Sequence, residues 1–253
     1  MKTNEKFVTA ETPSFISFRP DANECVYDDS DYSDHPTRFY TFTNPITLQV
    51  SELNASTYGY VSEGSITLTR LTSGRTLKVL SGEYFSSNEP IEIQGNGVGI
   101  LVETIGQKVF NTLGGSIETE GRLKYIDGCT DSLLIPPVMK GMSCLNHLHF
   151  PEGIEQTMHT HPTVRCGIVA KGKGLCHTPF GDLPLVPNQP FIILPKDERT
   201  DGRHCFFTDS SPMDVIAFHP DSDFGPEHEN HPMINRTIVE GTPANQIEEI
   251  QTQ

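Results

Sequence analysis

The sequence predicts an all-β protein built from two related halves, and two observations carry that reading. Apolar residues alternate or cluster over short runs, broken by Gly, Asn, Ser and Pro. With 21 Gly and 19 Pro in 253 residues, and no long helical periodicity, short strands joined by turns are the natural arrangement. A pattern then recurs. Gly59-Tyr60-Val61, followed two residues later by Gly64, mirrors Gly167-Ile168-Val169, followed two residues later by Gly172, at an offset of 108. LKVLSGEYF likewise mirrors LPLVPNQPF and sets Phe85 against Phe191 at an offset of 106.

Composition narrows the function classes. The chain has 18 basic and 33 acidic residues, a formal charge of −15. That argues against a nucleic-acid backbone or an anionic membrane as the main partner. No apolar run approaches the ~20 residues that span a bilayer. MKTNEKFVTAETPSF has no hydrophobic segment of the secretory kind. Cys25, Cys129, Cys144, Cys166, Cys176 and Cys205 form no C-x-x-C and no dense framework. They read as reduced thiols of a cytoplasmic protein.

In chain order, residues 1–40 are polar and carry an acidic cluster within VYDDSDYSDHPTRFY. A solvated arm is expected; the alternative is a segment that packs across a neighbouring barrel. Residues 41–110 read as consecutive strands whose spacing suits a small antiparallel barrel or sandwich. Residues 111–142 link the halves, with one strand expected at RLKYI. Residues 143–219 form the second half. In its opening strand CLNHLHF, Leu148 and Phe150 share the core face. His147 and His149 share the other, where exposed or interface histidines are expected before metal ligands. Residues 220–253 leave that half as a capping segment with His228, His231 and Arg236; a lid contributing to a pocket is the sharper reading.

The stretch GIEQTMHTHPTVRCGIVAKG, residues 153–172, concentrates the chemistry. His159 and His161 are two residues apart, so in an extended strand both imidazoles face one side and can converge on one metal ion. Arg165 continues the alternation. Gly153, five residues, His159-x-His161, three residues, Arg165, six residues and Gly172 together resemble the first signature of the cupin superfamily. Arg165 stands where that family usually has a metal-binding Glu. The resemblance implies two tandem cupin barrels of double-stranded β-helix, or jelly-roll, type: 41–110 as a degenerate metal-free barrel and 143–219 as the metal-binding one. The second cupin signature is matched more loosely. FIILPKDERTDGRHCFFT offers Pro195 and then His204, with Thr208 at the family's Asn position and four extra residues between Pro195 and His204. On that resemblance His204 is the third ligand. Moving His159 and His161 back by 108 lands on Ser51 and Leu53, so the first barrel lacks an equivalent site and reads as a structural or dimerising half of a homodimer.

Three neutral imidazoles suit Fe(II), Zn, Ni or Cu better than oxygen-seeking cations. Three protein ligands leave positions open for water or substrate. Without a carboxylate ligand the metal keeps its full charge. A guanidinium at Arg165 would add another, favouring an anionic substrate such as a carboxylate, sulfonate or phosphonate. The alternative for Arg165 is a structural ion pair. Gln156 is a candidate additional ligand or donor near the metal, with packing as its alternative. Tyr125 and Asp127 in KYIDG are candidate bases. No nucleophile elbow or phosphate-binding glycine loop is present. The histidine set resembles the three-His branch of cupin dioxygenases. That implies an Fe(II) dioxygenase acting on a small anionic molecule with dioxygen. Alternatives are a non-redox lyase, isomerase or decarboxylase using Zn, Mn, Ni or Fe as Lewis acid, and a non-catalytic small-ligand-binding module.

Overall fold

A computed structural model describes residues 1–227 and 232–250; His228 and His231, and the H-x-x-H spacing they form, lie outside the described residues. Two antiparallel β-barrels follow one another along the chain. In the first, Ala55–Arg70 and Ile91–Ile105 pair along their whole length. Ile91–Ile105 meets Ile46–Val50 with its first residues and Thr37–Phe42 with its last. Ala55–Arg70 meets Tyr84–Ser87 and then Thr76–Leu80. Each long strand therefore passes from one wall of the barrel to the other. The register shift between Val98 and Gly99 is a bulge of the kind that bends a strand. Phe42, Ile66, Leu68, Phe85, Ile93 and Leu101 fill the interior.

The second barrel has a wide wall and a narrow one. The wide wall runs, in spatial order, Thr130–Ile135, Cys144–Phe150, Met213–His219, Arg165–Gly172 and Pro190–Ile193. The narrow wall is Gly181–Leu185, Gly174–Thr178 and Cys205–Phe207. Leu148, Phe150, Val169, Phe191, Phe206 and Val215 pack between them. The outer face of the wide wall is buried as well. Leu145, Cys166, Ile168, Ile216 and Phe218 meet Tyr58, Tyr60, Ile100 and Val102 of the first barrel in one apolar layer. The Tyr58 and Phe218 rings lie 5.1 Å apart there, and the Tyr58 hydroxyl donates to the Ser143 carbonyl at 3.0 Å. A sheet buried on both faces reads as continuous apolar runs, which is how FISF, PFII and DVIAF look in sequence.

The internal repeat has a steric cause. Gly59 pairs with Phe85 and Gly167 with Phe191. A Cβ at Gly59 would lie 2.3 Å from the Phe85 ring, and one at Gly167 would lie 2.9 Å from the Phe191 ring. Each barrel thus packs one phenylalanine ring against a residue with no side chain. Gly64 and Gly172 turn with φ of +71° and +67°, and a Cβ there would come within 2.0 and 1.9 Å of the Asn96 and Pro212 carbonyl oxygens.

Two expectations are corrected. Residues 1–40 are not a solvated arm. Phe15–Phe18 pairs with Pro190–Ile193 and extends the wide wall of the second barrel, with Phe15, Ile16 and Phe18 fully buried. Pro190–Ile193 is apolar on both faces, and left as an edge it would expose an adhesive strand; FISF covers it. Glu24–Asp28 instead joins the first barrel beside Thr37–Phe42, so the segment stitches both barrels. Residues 111–142 are likewise more than a link. The expected strand at RLKYI is only Leu123–Lys124, whereas Thr130–Ile135 is a full strand of the second barrel. Its polar start, Thr-Asp-Ser, hides it from an apolar pattern. Among the described residues no helix is long and apolar enough to cross a membrane.

Candidate metal centre

His159 and His204 form an isolated antiparallel bridge at one mouth of the second barrel. The His159 amide donates to the His204 carbonyl at 2.9 Å, and the His204 amide returns the bond at 3.0 Å. Directly opposed residues put their side chains on the same face. His161, two residues beyond His159, adds a third ring. Ring centroids are 4.4 Å apart for His159–His204, 5.2 Å for His159–His161 and 5.1 Å for His161–His204. One ring nitrogen from each lies within 4.8 Å of the others.

Two of the rings are oriented from behind. The Nδ1–H of His159 donates to the Thr157 carbonyl at 2.8 Å, and that of His204 donates to the Gly202 carbonyl at 2.9 Å. A carbonyl can only accept, so each bond fixes the tautomer and turns Nε2, bearing a lone pair, towards the centre. His204 is fully buried, and its Nε2 has no hydrogen-bond partner among the described residues. A buried acceptor left unpaired is rare in a folded protein and marks a site built for something else to fill. Burial, with the neighbouring His159 and Arg165, depresses the His204 pKa to about 3. Burial and Arg165, then the other two rings, bring His161 to about 2. Both therefore stay neutral, the form that ligates, at ordinary pH. The donor set fits a divalent metal of imidazole-binding character.

Beside the centre lies a cavity of about 230 Å³ lined by His161, Arg165, His219, Asn146, Asp131 and Tyr125, among others. Strand register explains this lining. Leu148, Phe150, Met213, Val215 and Val169 point inward in the apolar end of the barrel. Counting along the same faces in steps of two brings Asn146 and Cys144, Ala217 and His219, and Gly167 and Arg165 to the other end, so one wall is apolar below and polar above. Asp131, opposite Leu148, joins from the next strand.

Arg165 makes its ion pair here. Its Nη1 reaches Asp221 Oδ1 at 2.8 Å and also donates to the Thr163 hydroxyl, which itself donates to Asp221 at 2.6 Å. Burial would raise the Asp221 carboxyl, but Arg165 and Thr163 outweigh it and hold the pKa low. Arg165 Nε is buried with no partner among the described residues. Ser222, Asp223 and Phe224 also line the cavity, so the start of the C-terminal segment contributes to the pocket.

Gln156 is buried, but its carboxamide is engaged elsewhere: Nε2 donates to Cys129 Sγ at 3.4 Å and Oε1 accepts from the Phe206 amide at 3.3 Å. Asp127 accepts from the Thr157 amide at 2.6 Å on the outside of the loop, whereas Tyr125 lines the cavity. His147 and His149 lie on the outer face of their strand, as the alternation requires, but are buried rather than exposed. Both meet Asp214 Oδ1 at 2.8 Å. Burial opposes ionisation of Asp214, and the two imidazoles overcome it and keep its pKa low. All six cysteines are free thiols.

Sequence reasoning missed Asp131 and His219 as lining residues. His219 is half-buried and lines the cavity; burial, Arg165 and His161 hold its pKa well below the ordinary value. Its inward direction was legible, since Val215 and Ala217 alternate into the core before it.

No family model and no curated protein matches the chain. Solved structures do. A cupin 2 conserved barrel domain protein from Leptotrichia buccalis superposes with a TM-score of 0.56 at 10% identity, over 84% of this chain and 92% of that one. The protein Ylba from E. coli gives 0.52 at 13% identity, over 87% and 96%. A salicylate 1,2-dioxygenase from Pseudaminobacter salicylatoxidans gives 0.51 at 8% identity, over 74% and 70%. At these identities the likeness is one of fold. The chain has the cupin fold, in two tandem barrels, with a three-histidine group at the mouth of the second.

Proposed function

We propose that the protein is a mononuclear non-haem Fe(II) oxygenase acting on a small anionic organic molecule held in the second barrel. The observation that carries this reading is the three-histidine group, with the unpaired Nε2 of buried His204 at its centre and a guanidinium-lined cavity beside it. Iron bound there would supply one-electron chemistry and Lewis acidity. The chain's own residues do the rest. Thr157 and Gly202 hold two ligand rings in the ligating tautomer. Arg165, itself braced by Asp221, offsets the charge of an anion entering the cavity. Phe150, Phe206 and Val215 close the barrel below and keep water out of its apolar end. The first barrel lacks histidines and braces the wide wall through the shared apolar layer.

A second reading is a non-redox metal-dependent lyase, isomerase or decarboxylase. It draws on Asp131, a buried carboxyl lining the same cavity whose pKa burial raises against the pull of Asn146. Anaerobic purification without chelator, elemental analysis and oxygen uptake with small carboxylates and thiols separate the two. Iron near one per chain with substrate-dependent oxygen uptake is expected. Zinc, manganese or nickel without oxygen uptake moves the assignment to the second reading. No metal, with ligand binding intact in His159→Ala, leaves a binding module.

A further inference from the structure

Asp221, which holds Arg165 Nη1 at 2.8 Å, lies just beyond the end of Met213–His219. The ladder between that strand and Cys144–Phe150 stops at the pair Cys144–His219, so Ser143 and Pro220 are the next residues along. Pro220 has no N–H to give there. The carboxamide of Gln107, from the first barrel, bridges the two chain ends. The Ser143 amide donates to its Oε1 at 2.8 Å and the Ser143 hydroxyl at 2.7 Å, and its Nε2 donates to the Pro220 carbonyl at 3.2 Å. A backbone N–H can only donate and a carbonyl can only accept, so one orientation of the carboxamide serves both.

Gln107 is itself fixed by the first barrel. It follows Gly106, where the strand Ile91–Ile105 ends in a turn with φ of +84°, and the Gly106 amide donates to the Asn54 carbonyl at 2.6 Å. The Gln107 carbonyl accepts from the Ser56 hydroxyl at 2.9 Å.

The bond to Pro220 acts on Asp221 through a peptide plane. The Pro220 carbonyl and the Asp221 nitrogen and Cα share that plane, so holding the oxygen restricts the direction in which the Asp221 side chain leaves. The ring of Pro220 restricts φ on its other side. Beyond Asp221, the Ser222 carbonyl accepts from the Gly141 amide at 2.7 Å. Asp221 is thus pinned before and after, and its Oδ1 receives both Arg165 Nη1 and the Thr163 hydroxyl.

We propose, on the reading of the second-barrel cavity as the substrate site, that Gln107 is a positioning residue for anion binding: its hydrogen bond to Pro220 holds Asp221, and through Asp221 the guanidinium of Arg165, at the cavity wall. The first barrel thus does more than cover an apolar face. It completes the anion subsite of the second.

The test uses the full chain, metal-free and loaded with Fe(II), with propionate as the probe, titrated and followed by ligand NMR. Gln107→Met keeps the length of the side chain and removes its polar end. Propionate should bind about two- to tenfold more weakly, the worth of one hydrogen bond, with metal content unchanged. The decisive readout is a double-mutant cycle with Asp221→Ala. A residue that acts through Asp221 loses its effect once Asp221 is gone, so Gln107→Met should leave the affinity of the Asp221→Ala chain unchanged. Tyr58→Phe removes another side-chain hydrogen bond across the same junction, to the Ser143 carbonyl, without touching Gln107, and should bind propionate as the wild type does. Wild-type affinity in Gln107→Met, an equal loss in Tyr58→Phe, or full additivity with Asp221→Ala overturns the inference, as does a wild-type chain that does not bind propionate. Should Gln107→Met fail to fold, Gln107→Glu keeps the acceptor for Ser143 and sets an oxygen against the Pro220 carbonyl; it must weaken propionate more in the wild-type background than in Asp221→Ala. Metal content and oxygen uptake on the same samples judge the oxygenase reading separately: absence of iron with the cycle intact sinks that reading and leaves the role of Gln107 standing.

Discussion

His159 and His204, 45 residues apart in the chain, exchange both backbone hydrogen bonds across a single bridge, and their rings sit 4.4 Å apart. The metal centre is therefore tied to main-chain pairing rather than to side-chain reach alone. Replacing His204 by Ala removes one ligand but leaves the bridge. Metal affinity is expected to fall on the order of a hundredfold or more, because even loss of a group behind a ligand costs ten- to a hundredfold. Elemental analysis after dialysis, with thermal unfolding of the metal-free variant as the fold control, reads this directly.

Acid should weaken the protein through the same rings. His161 and His204 have pKa values of about 2 and about 3 in the fold, against an ordinary value near 6.5. Between those values the unfolded chain binds protons that the folded chain does not. Stability is thus full above about pH 6.5 and falls as pH drops below it, by up to about 1.4 kcal/mol per pH unit for each such histidine. Urea midpoints of the metal-free protein between pH 7 and pH 4 should decline. Bound metal should protect it, because ligation and protonation compete for the same nitrogens. A flat profile would show that neither ring is held neutral by the fold.

Asp221 is expected to matter to anion binding without touching the metal. Asp221→Ala frees Arg165 from its partly buried ion pair, leaving a guanidinium whose position is no longer set. A loss of stability of about 1–3 kcal/mol is expected, below the cost of breaking a fully buried pair because Asp221 retains contact with solvent. Carboxylate affinity should drop with metal content unchanged; paired titrations of metal and anion separate the effects.

The glycine–phenylalanine pairs make a prediction specific to each barrel. Gly59→Ala would drive a methyl into the Phe85 ring and should cost about 1–3 kcal/mol by overpacking. Its site lies in the first barrel, so metal affinity should be unaffected. Denaturant unfolding together with metal titration checks both halves of that statement.

Deleting residues 1–19 should cost the second barrel its fold. Phe15, Ile16 and Phe18 are fully buried, and burying each such side chain contributes about 1.5–3 kcal/mol. Their sum is comparable to the whole stability of an ordinary domain, about 5–15 kcal/mol. Insoluble expression, or loss of the β-type circular dichroism spectrum, is the expected outcome; a soluble truncated chain that retains metal would refute it.

Much of this was legible in the residues alone. The repeat of Gly59 and Phe85 in Gly167 and Phe191 is a packing requirement written in sequence, because only glycine admits the ring above it. The convergence of His159 and His161 was expected from the two-residue period of a strand, although in the structure only His159 is bridged and His161 lies outside any strand. The wall that FISF completes and the strand hidden in TDSLLI were not legible, since a four-residue run buried on both faces has no period and a polar inward residue breaks one. Nor could the chain order show that Asp131 and Arg165 bound one cavity, or that Arg165 is held by Asp221. Those relations depend on which strands become neighbours, and neighbours in a sheet are chosen by the burial of whole faces across the molecule, not by any stretch of residues read along the chain.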